Sequence, residues 1–240
     1  MNEPKKFENI VIFGGAGFIG QHLALELLET NRVNKIFLAD IKPFVQKDLS
    51  EFMQTAIRQG MIVNLDVDVR QKISDPALPK TSDCVVNLAA IHKQPGHEDS
   101  EYFQTNLLGA ENVCAWAKEV NAKQIIFTSS IAVYGGGDFE KDEESLPTPN
   151  SPYGISKLVA EKIHLAWQNG DPQNTLLIVR PGVIFGHGEE GNVSRMVKAV
   201  LHRYFFFSGN KQTIKAGGYV KELTKSILYM IDYQIQHSQK

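Results

Sequence analysis

The sequence predicts an α/β protein built on a doubly wound, mostly parallel sheet, and three observations carry that expectation. Short apolar runs of strand length alternate with amphipathic, helix-period stretches from residue 9 to about residue 180. The first run is stopped at once by a glycine-rich turn that opens a helix. A chain of 240 residues, 42% hydrophobic and 22% charged, suffices to bury one large core with at most a small appended lobe.

The elements follow in order. In NIVIFGGAGFIGQHLALELL, from residue 9, the apolar run 10–13 is one buried strand ended by Gly14 and Gly15. From 18 to 28, Phe18, Ile19, Leu23, Leu27 and Leu28 recur at helical spacing, so an amphipathic helix begins directly after the turn. The start of a helix carries unpaired N–H groups and the positive pole of its dipole, and glycine lets the backbone approach a phosphate closely. Gly14, Gly17 and Gly20 form G-x-x-G-x-x-G, a variant of the dinucleotide fingerprint. The second run, KIFLAD, ends in Asp40, twenty residues beyond Gly20, where an acidic residue meets the two ribose hydroxyls of an adenosine. A carboxylate there repels a 2′-phosphate, which favours NAD over NADP; Lys42 beside it keeps NADP open.

Strands are expected near 9–13, 35–39, 61–65, 84–88, 124–128 and 175–180, with helices between them. Right-handed crossovers then give a Rossmann-type sheet with ligands gathered at the carboxyl ends of its strands. After residue 181 the rhythm breaks into GVIFGHGEEGN, a helical stretch from 193 to about 201, the run YFFF and a final amphipathic helix from about 219. Residues 1–180 are therefore read as the cofactor-binding domain and 181–240 as a small substrate cap.

Charge and composition narrow the partners. A formal net charge of −2 provides no overall basic field for nucleic acid or an anionic membrane. The opening MNEPKKFE is polar and no window reaches the length of a membrane span, so the chain is expected in the cytoplasm. Cys84 and Cys114 fall in apolar patterns with no metal-ligand companion and read as small core residues.

The chemistry is expected in SPYGISK, residues 151–157. Ser151 is a suitable N-cap and Pro152 a natural first helical residue, which puts Tyr153 and Lys157 on one helix face, four residues apart. Bringing a phenol from about 10 to about 7 requires roughly 4 kcal/mol of preferential stabilisation of the phenolate. The Lys157 cation and a positively charged nicotinamide are groups of the sign that supplies it. A surface tyrosine with a solvated lysine is the plainer reading of the same pair. In FTSSIAVYG, residues 127–135, a strand runs into Ser129 and Ser130. One hydroxyl is expected on a substrate oxygen, with Ser130 the candidate, and the other on loop backbone.

GGAGFIG, Asp40, DVR at 68–70, NLAA at 87–90, TNLLGAENV at 105–113, TSSIAVYG, YGISK and RPGVIFG occur here in the order seen in extended short-chain dehydrogenases/reductases. The chain resembles their NAD-dependent epimerase/dehydratase branch, the nucleotide-sugar epimerases in particular, closely over residues 9 to about 188 and loosely beyond. The resemblance implies that Gly14, Gly17, Phe18 and Ile19 line the pyrophosphate turn and that Asp40 holds the adenine ribose. Asp68 and Val69 would flank the adenine, and Leu88, Ala89, Ala90 and Pro181 would border the cofactor. Asn106 matches the family's helix asparagine, and Ser130, Tyr153 and Lys157 match the catalytic trio, the last two also touching the cofactor. His92 stands where related epimerases often place a lysine near the cofactor; an ordinary loop histidine is the other reading. A homodimer through helices near 100–119 and 152–168 is also implied.

Departures from the family pattern restrict the activity. Dehydratases carry an acidic pair after the catalytic hydroxyl, whereas Ser130 is followed by Ile131 and Ala132. Val183 replaces an asparagine that many members use near the substrate phosphates, and Lys215 takes the arginine position of a later element. Family members usually continue past this point, so the substrate lobe is expected to be incomplete, as a fragment or a natural short form. The expectation is an NAD-dependent nucleotide-sugar epimerase that passes through a keto intermediate. An NAD(P)H-dependent reductase of a keto sugar and a catalytically silent NAD-sensing scaffold stand as alternatives.

Overall fold

A computed structural model describes residues 4–44, 50–92, 96–137, 140–189, 191–206, 212 and 214–237. Within the stretches singled out above, residues 1–3, Glu190 and Phe207 lie outside the described residues.

All six expected strands form, with ends within two residues of those read from the sequence: β1 (Phe7–Phe13), β2 (Val33–Asp40), β3 (Ile62–Asp66), β4 (Cys84–Asn87), β5 (Gln124–Thr128) and β6 (Thr175–Val179). They pair in parallel in the order β3-β2-β1-β4-β5-β6. This is a Rossmann-type doubly wound sheet, and the strand order reverses between β1 and β4, the place where such sheets open a crevice for ligands.

Side chains alternate across the sheet and feed two cores. Val11, Phe13, Val85, Ile125 and Phe127 pack against α3 (Asp99–Glu119) and α4 (Pro152–Asn169), through Val113, Trp116, Ala117 and Ala160. Ile10, Ile12, Ile36, Leu38, Val86 and Ile126 pack with Leu23 and Leu27 of α1 (Phe18–Glu29) and Met53 of α2 (Glu51–Arg58). Burial on both faces is why these strands read as nearly unbroken apolar runs. Cys84 and Cys114 are buried, and burial pushes both thiols up to about 12.

Among the described residues, four elements form in the tail, beginning with α5 (Asn192–Leu201) and a two-stranded parallel ribbon of β7 (Val183–Phe185) and β8 (Gly217–Tyr219). The ribbon carries no sequence signal because GGY lacks an apolar run and its partner lies more than thirty residues away. On α5, Met196, Val197, Val200 and Leu201 stay exposed. The last helix, α6 (Val220–His237), sits in the second core through Ile227, Leu228 and Ile231. Arg32 clamps it with a bidentate pair to Asp232 at 2.7 and 3.0 Å, and Gln234 Nε2 donates to the Leu176 carbonyl at 3.0 Å. Among the described residues no helix is long and apolar enough to cross a membrane.

Candidate active site

The glycine turn is shaped by backbone crowding. Gly14 has φ +77°, and a Cβ there would lie 2.7 Å from the Ala89 nitrogen and 2.8 Å from the Leu88 carbonyl carbon. The turn after β1 and the Leu88–Ala89 backbone after β4 thus touch with no room for a side chain. Gly20 lets α1 lie on its own turn, since a Cβ would meet the Gly15 and Gly14 oxygens at 2.7 and 2.8 Å. Gly17 is the N-cap of α1, which has no side-chain cap and no acidic residue in its first turn. That end keeps its positive pole open to an anion. Phe18 and Ile19 follow, half-buried, and the Phe18 ring meets that of His22 edge-on at 4.8 Å.

Asp40 ends β2 beside this turn. One carboxylate oxygen accepts from the Ala16 N–H at 3.1 Å and the other from the Lys42 N–H at 3.0 Å. A carboxylate offers about four acceptor sites, so two backbone bonds fix its position and leave acceptors for ribose hydroxyls. The Cβ-intolerant turn, the uncapped helix start and the oriented carboxylate together fit a dinucleotide.

The neighbouring residues divide into wall and brace. Asp68 is held by Arg70 through contacts of 2.7 to 3.0 Å, and that guanidinium keeps its carboxyl below the usual carboxylate range. Val69 is buried against α3, with its carbonyl accepting from Asn112 Nδ2 at 2.8 Å. Ala90 is half-buried and His92 exposed. Asn106 is occupied within the protein. Its oxygen accepts from the Ile91 N–H at 2.9 Å, and its amide donates to the Ile91 carbonyl at 3.3 Å and to Ser156 Oγ at 2.9 Å. It braces the loop before His92 against α4. The Pro181 carbonyl accepts from the Ile131 N–H at 3.1 Å, joining the end of β6 to the segment after Ser130.

On α4, Ser151 Oγ accepts from the Gly154 N–H at 3.1 Å, so the cap and the proline start read from the sequence both form. Ser130 Oγ accepts from the Ala132 N–H at 3.1 Å and caps a 3-10 turn (Ile131–Tyr134), while the buried Ser129 hydroxyl finds no hydrogen-bond partner among the described residues. Tyr153 is half-buried, its ring tilted at 58° to Tyr102 with centres 6.2 Å apart. Burial raises its phenol, and a hydrogen bond with the Ser130 side chain pulls the other way. Lys157 is 2% exposed, with Nζ 4.3 Å from the centre of the Phe127 ring. Burial lowers it to about 7, with Glu161 opposing. Burial disfavours both the phenolate and the ammonium, against the Ser130 hydrogen bond and the Glu161 charge, and added positive charge at the site would favour the phenolate.

Sequence reading missed the groups that surround Lys157. Glu161, one turn on, is 1% exposed and takes a bidentate pair from Arg180, both contacts 2.8 Å. Arg180 also donates to Tyr134 Oη at 2.6 Å. His164, fully buried, stacks on Phe127 at 4.0 Å and 15°. Its Nδ1 faces the Ala160 carbonyl at 2.7 Å and must carry the proton, so Nε2 accepts from Asn87 Nδ2 at 3.2 Å. Burial pulls it down to about 4, leaving it neutral. The available signal was positional: 157, 161 and 164 are polar residues at the spacing where α4 should bury apolar ones.

Residues 10–237 match the model of the NAD dependent epimerase/dehydratase family. The chain is 34% identical to the N-acetyl-alpha-D-glucosaminyl-diphospho-ditrans,octacis-undecaprenol 4-epimerase of Escherichia coli O157:H7, over 93% of this chain and 63% of that protein. It is 30% identical to UDP-glucose 4-epimerase 2 of Oryza sativa subsp. japonica, over 74% of this chain and 45% of the relative. The chain thus spans under two thirds of the length of these two relatives. Among solved structures, MoeE5 in complex with UDP-glucose and NAD superposes with a TM-score of 0.72 at 25% identity, over 93% of this chain and 71% of that one.

Proposed function

The chain belongs to the NAD-dependent epimerase/dehydratase family, and from that premise we propose that it is an NAD-dependent epimerase of a nucleotide sugar, acting at C4. The observation that carries the reading is the arrangement of Ser130, Tyr153 and Lys157 behind a turn that fits a dinucleotide. The two relatives named above as 4-epimerases support the carbon. Gly14, Gly17, Phe18, Ile19 and Asp40 would hold the NAD, with Asp68, Val69, Leu88, Ala89, Ala90, His92 and Pro181 around it and Asn106 bracing the wall. The cofactor then lies over residues 1–180, and residues 181–240 receive the sugar.

Bound NAD supplies a reversible acceptor for the hydrogen on the sugar carbon. Tyr153 takes the proton of the sugar hydroxyl as the carbon loses its hydride, leaving a ketone. Ser130, whose oxygen is already fixed by the Ala132 N–H, still has its own proton to donate to the reacting oxygen. Lys157 in its ammonium form stabilises the phenolate electrostatically. Once the keto sugar has turned over, Tyr153 returns the proton as hydride comes back to the opposite face, and the centre is inverted. Half-burial of Tyr153 keeps bulk water from competing for that proton.

Incubation with NAD and UDP-N-acetylglucosamine, or its polyprenyl-diphosphate counterpart, is expected to yield the C4 epimer by NMR with no net NADH. Consumption of one NADH per turnover on a keto sugar would instead make the protein a reductase. Asp40→Ala is expected to weaken NAD and relax discrimination against NADP; unchanged preference in a binding titration would remove Asp40 from the site. We propose, further, a homodimer through α3 and α4, where Leu108, Ile155 and Val159 remain 37 to 44% exposed. Val159→Asp is expected to halve the mass seen by light scattering, and a monomeric wild type would refute the interface.

A further inference from the structure

Three separate segments border the proposed site: the 3-10 turn that follows Ser130, α4 with Tyr153 and Lys157, and the end of β6 before Pro181. One ion-pair cluster ties all three together. Glu161 of α4 receives both donors of Arg180, which leaves β6, and Arg180 donates in turn to Tyr134 at the end of the 3-10 turn. The Arg180 guanidinium also lies 5.0 Å from the centre of the Tyr134 ring. We infer that the Glu161–Arg180 pair is a positioning device for Lys157, keeping it an ammonium in a buried setting while locking the three segments in register.

The surroundings of Lys157 make the assignment specific. On its own helix Tyr153 stands one turn before it, Glu161 one turn after it and the neutral His164 two turns after it; from β5 comes the face of Phe127, 4.3 Å from Nζ. The Phe127 face stacked on His164 is closed, so the ammonium has the opposite one. On α3, packed against α4, Tyr102 lies by Tyr153, the buried Cys114 thiol is neutral, and the Glu101 carboxylate is turned to His97 at 3.0 Å. Arg180 reaches the site from β6 through Glu161 and is held firmly protonated by it. Among the described residues, Glu161 is thus the acidic group that acts on Lys157. Its bidentate fork holds the carboxylate in place, and a fixed carboxylate offsets part of the cost of burying the ammonium.

The sign follows directly. The Lys157 ammonium persists below about 7 and is lost as pH rises through that value. Without the Glu161 charge it should be lost at lower pH. The test is an NMR titration of lysine labelled at 13Cε in the cofactor-free chain, with the resonance assigned by its disappearance in Lys157→Met. The wild-type midpoint is expected near 7, and that of Glu161→Gln about one unit lower, the small end of what a close opposite charge produces. Glu161→Gln leaves the partly exposed Arg180 guanidinium without its partner, so Glu161→Gln/Arg180→Gln is measured beside it; that variant removes a positive charge along with the negative one, so its midpoint is expected to fall as well, by less. An unmoved midpoint in either folded variant overturns the proposal. So does loss of the fold in both, which would make the pair scaffold alone. The inference rests on the role given to Lys157 above, yet the two fail separately: an unmoved midpoint leaves the epimerase reading standing, and a fully active Tyr153→Phe leaves the midpoint shift intact.

Discussion

Tyr153→Phe is expected to lower turnover by about 10² to 10⁴, the usual worth of a positioned general acid–base, with NAD affinity unchanged. The substitution removes one oxygen and keeps the ring, so the tilted packing on Tyr102 survives and the start of α4 stays capped by Ser151. Folding should therefore be intact, and a thermal melt alongside the assay separates lost chemistry from lost structure. The size of the effect follows from the phenol's environment. Burial holds it above its ordinary value, against the pull of the Ser130 hydrogen bond, and half-burial limits the access of water as a substitute proton acceptor. Wild-type activity in this variant would remove Tyr153 from the reaction.

Gly14→Ala is expected to weaken NAD binding about tenfold or more, because placing an L-residue in a left-handed conformation costs roughly 1–2 kcal/mol before any clash is counted. The added methyl would also meet the Ala89 nitrogen at 2.7 Å and the Leu88 carbon at 2.8 Å. Both are backbone atoms at the end of β4 and cannot rotate away, so the strand ends must part at the crevice itself. Gly60→Ala is the control. That glycine has φ +71° with nothing within 4 Å, so it carries the same backbone strain far from the crevice. Titration should show NAD affinity lost in the first variant and kept in the second; equal affinities would separate the turn from cofactor binding.

What could be read from the sequence was what local pattern and short motifs encode. Six strands, the glycine turn, the Ser151–Pro152 start of α4 and the cluster of candidate residues behind the strand ends all lie in contiguous stretches with a physical signature. The β7–β8 ribbon was illegible because its strands are three residues each and paired across the α5 segment. The place of α6 in the second core depends on Arg32 meeting Asp232, two hundred residues apart, which no window of sequence contains. The hydrogen bonding of the paired serines depends on the 3-10 turn, whose capping engages Ser130, while Ser129 finds no partner among the described residues. Glu161 and His164 were overlooked for a different reason: each is a polar residue inside a helix stripe, and only its partners, Arg180 and Asn87, show why burying it is tolerable.

The most direct test of the central claim follows an isotope rather than a rate. UDP-glucose or UDP-N-acetylglucosamine carrying deuterium at C4 is incubated with the protein and NAD, and the epimer is examined by mass spectrometry and NMR. If Tyr153 moves only the hydroxyl proton while hydride leaves and returns within one closed site, the deuterium stays at C4 of the inverted product and no NADH accumulates. Deuterium lost to solvent, or NADH formed in step with product, would contradict the account.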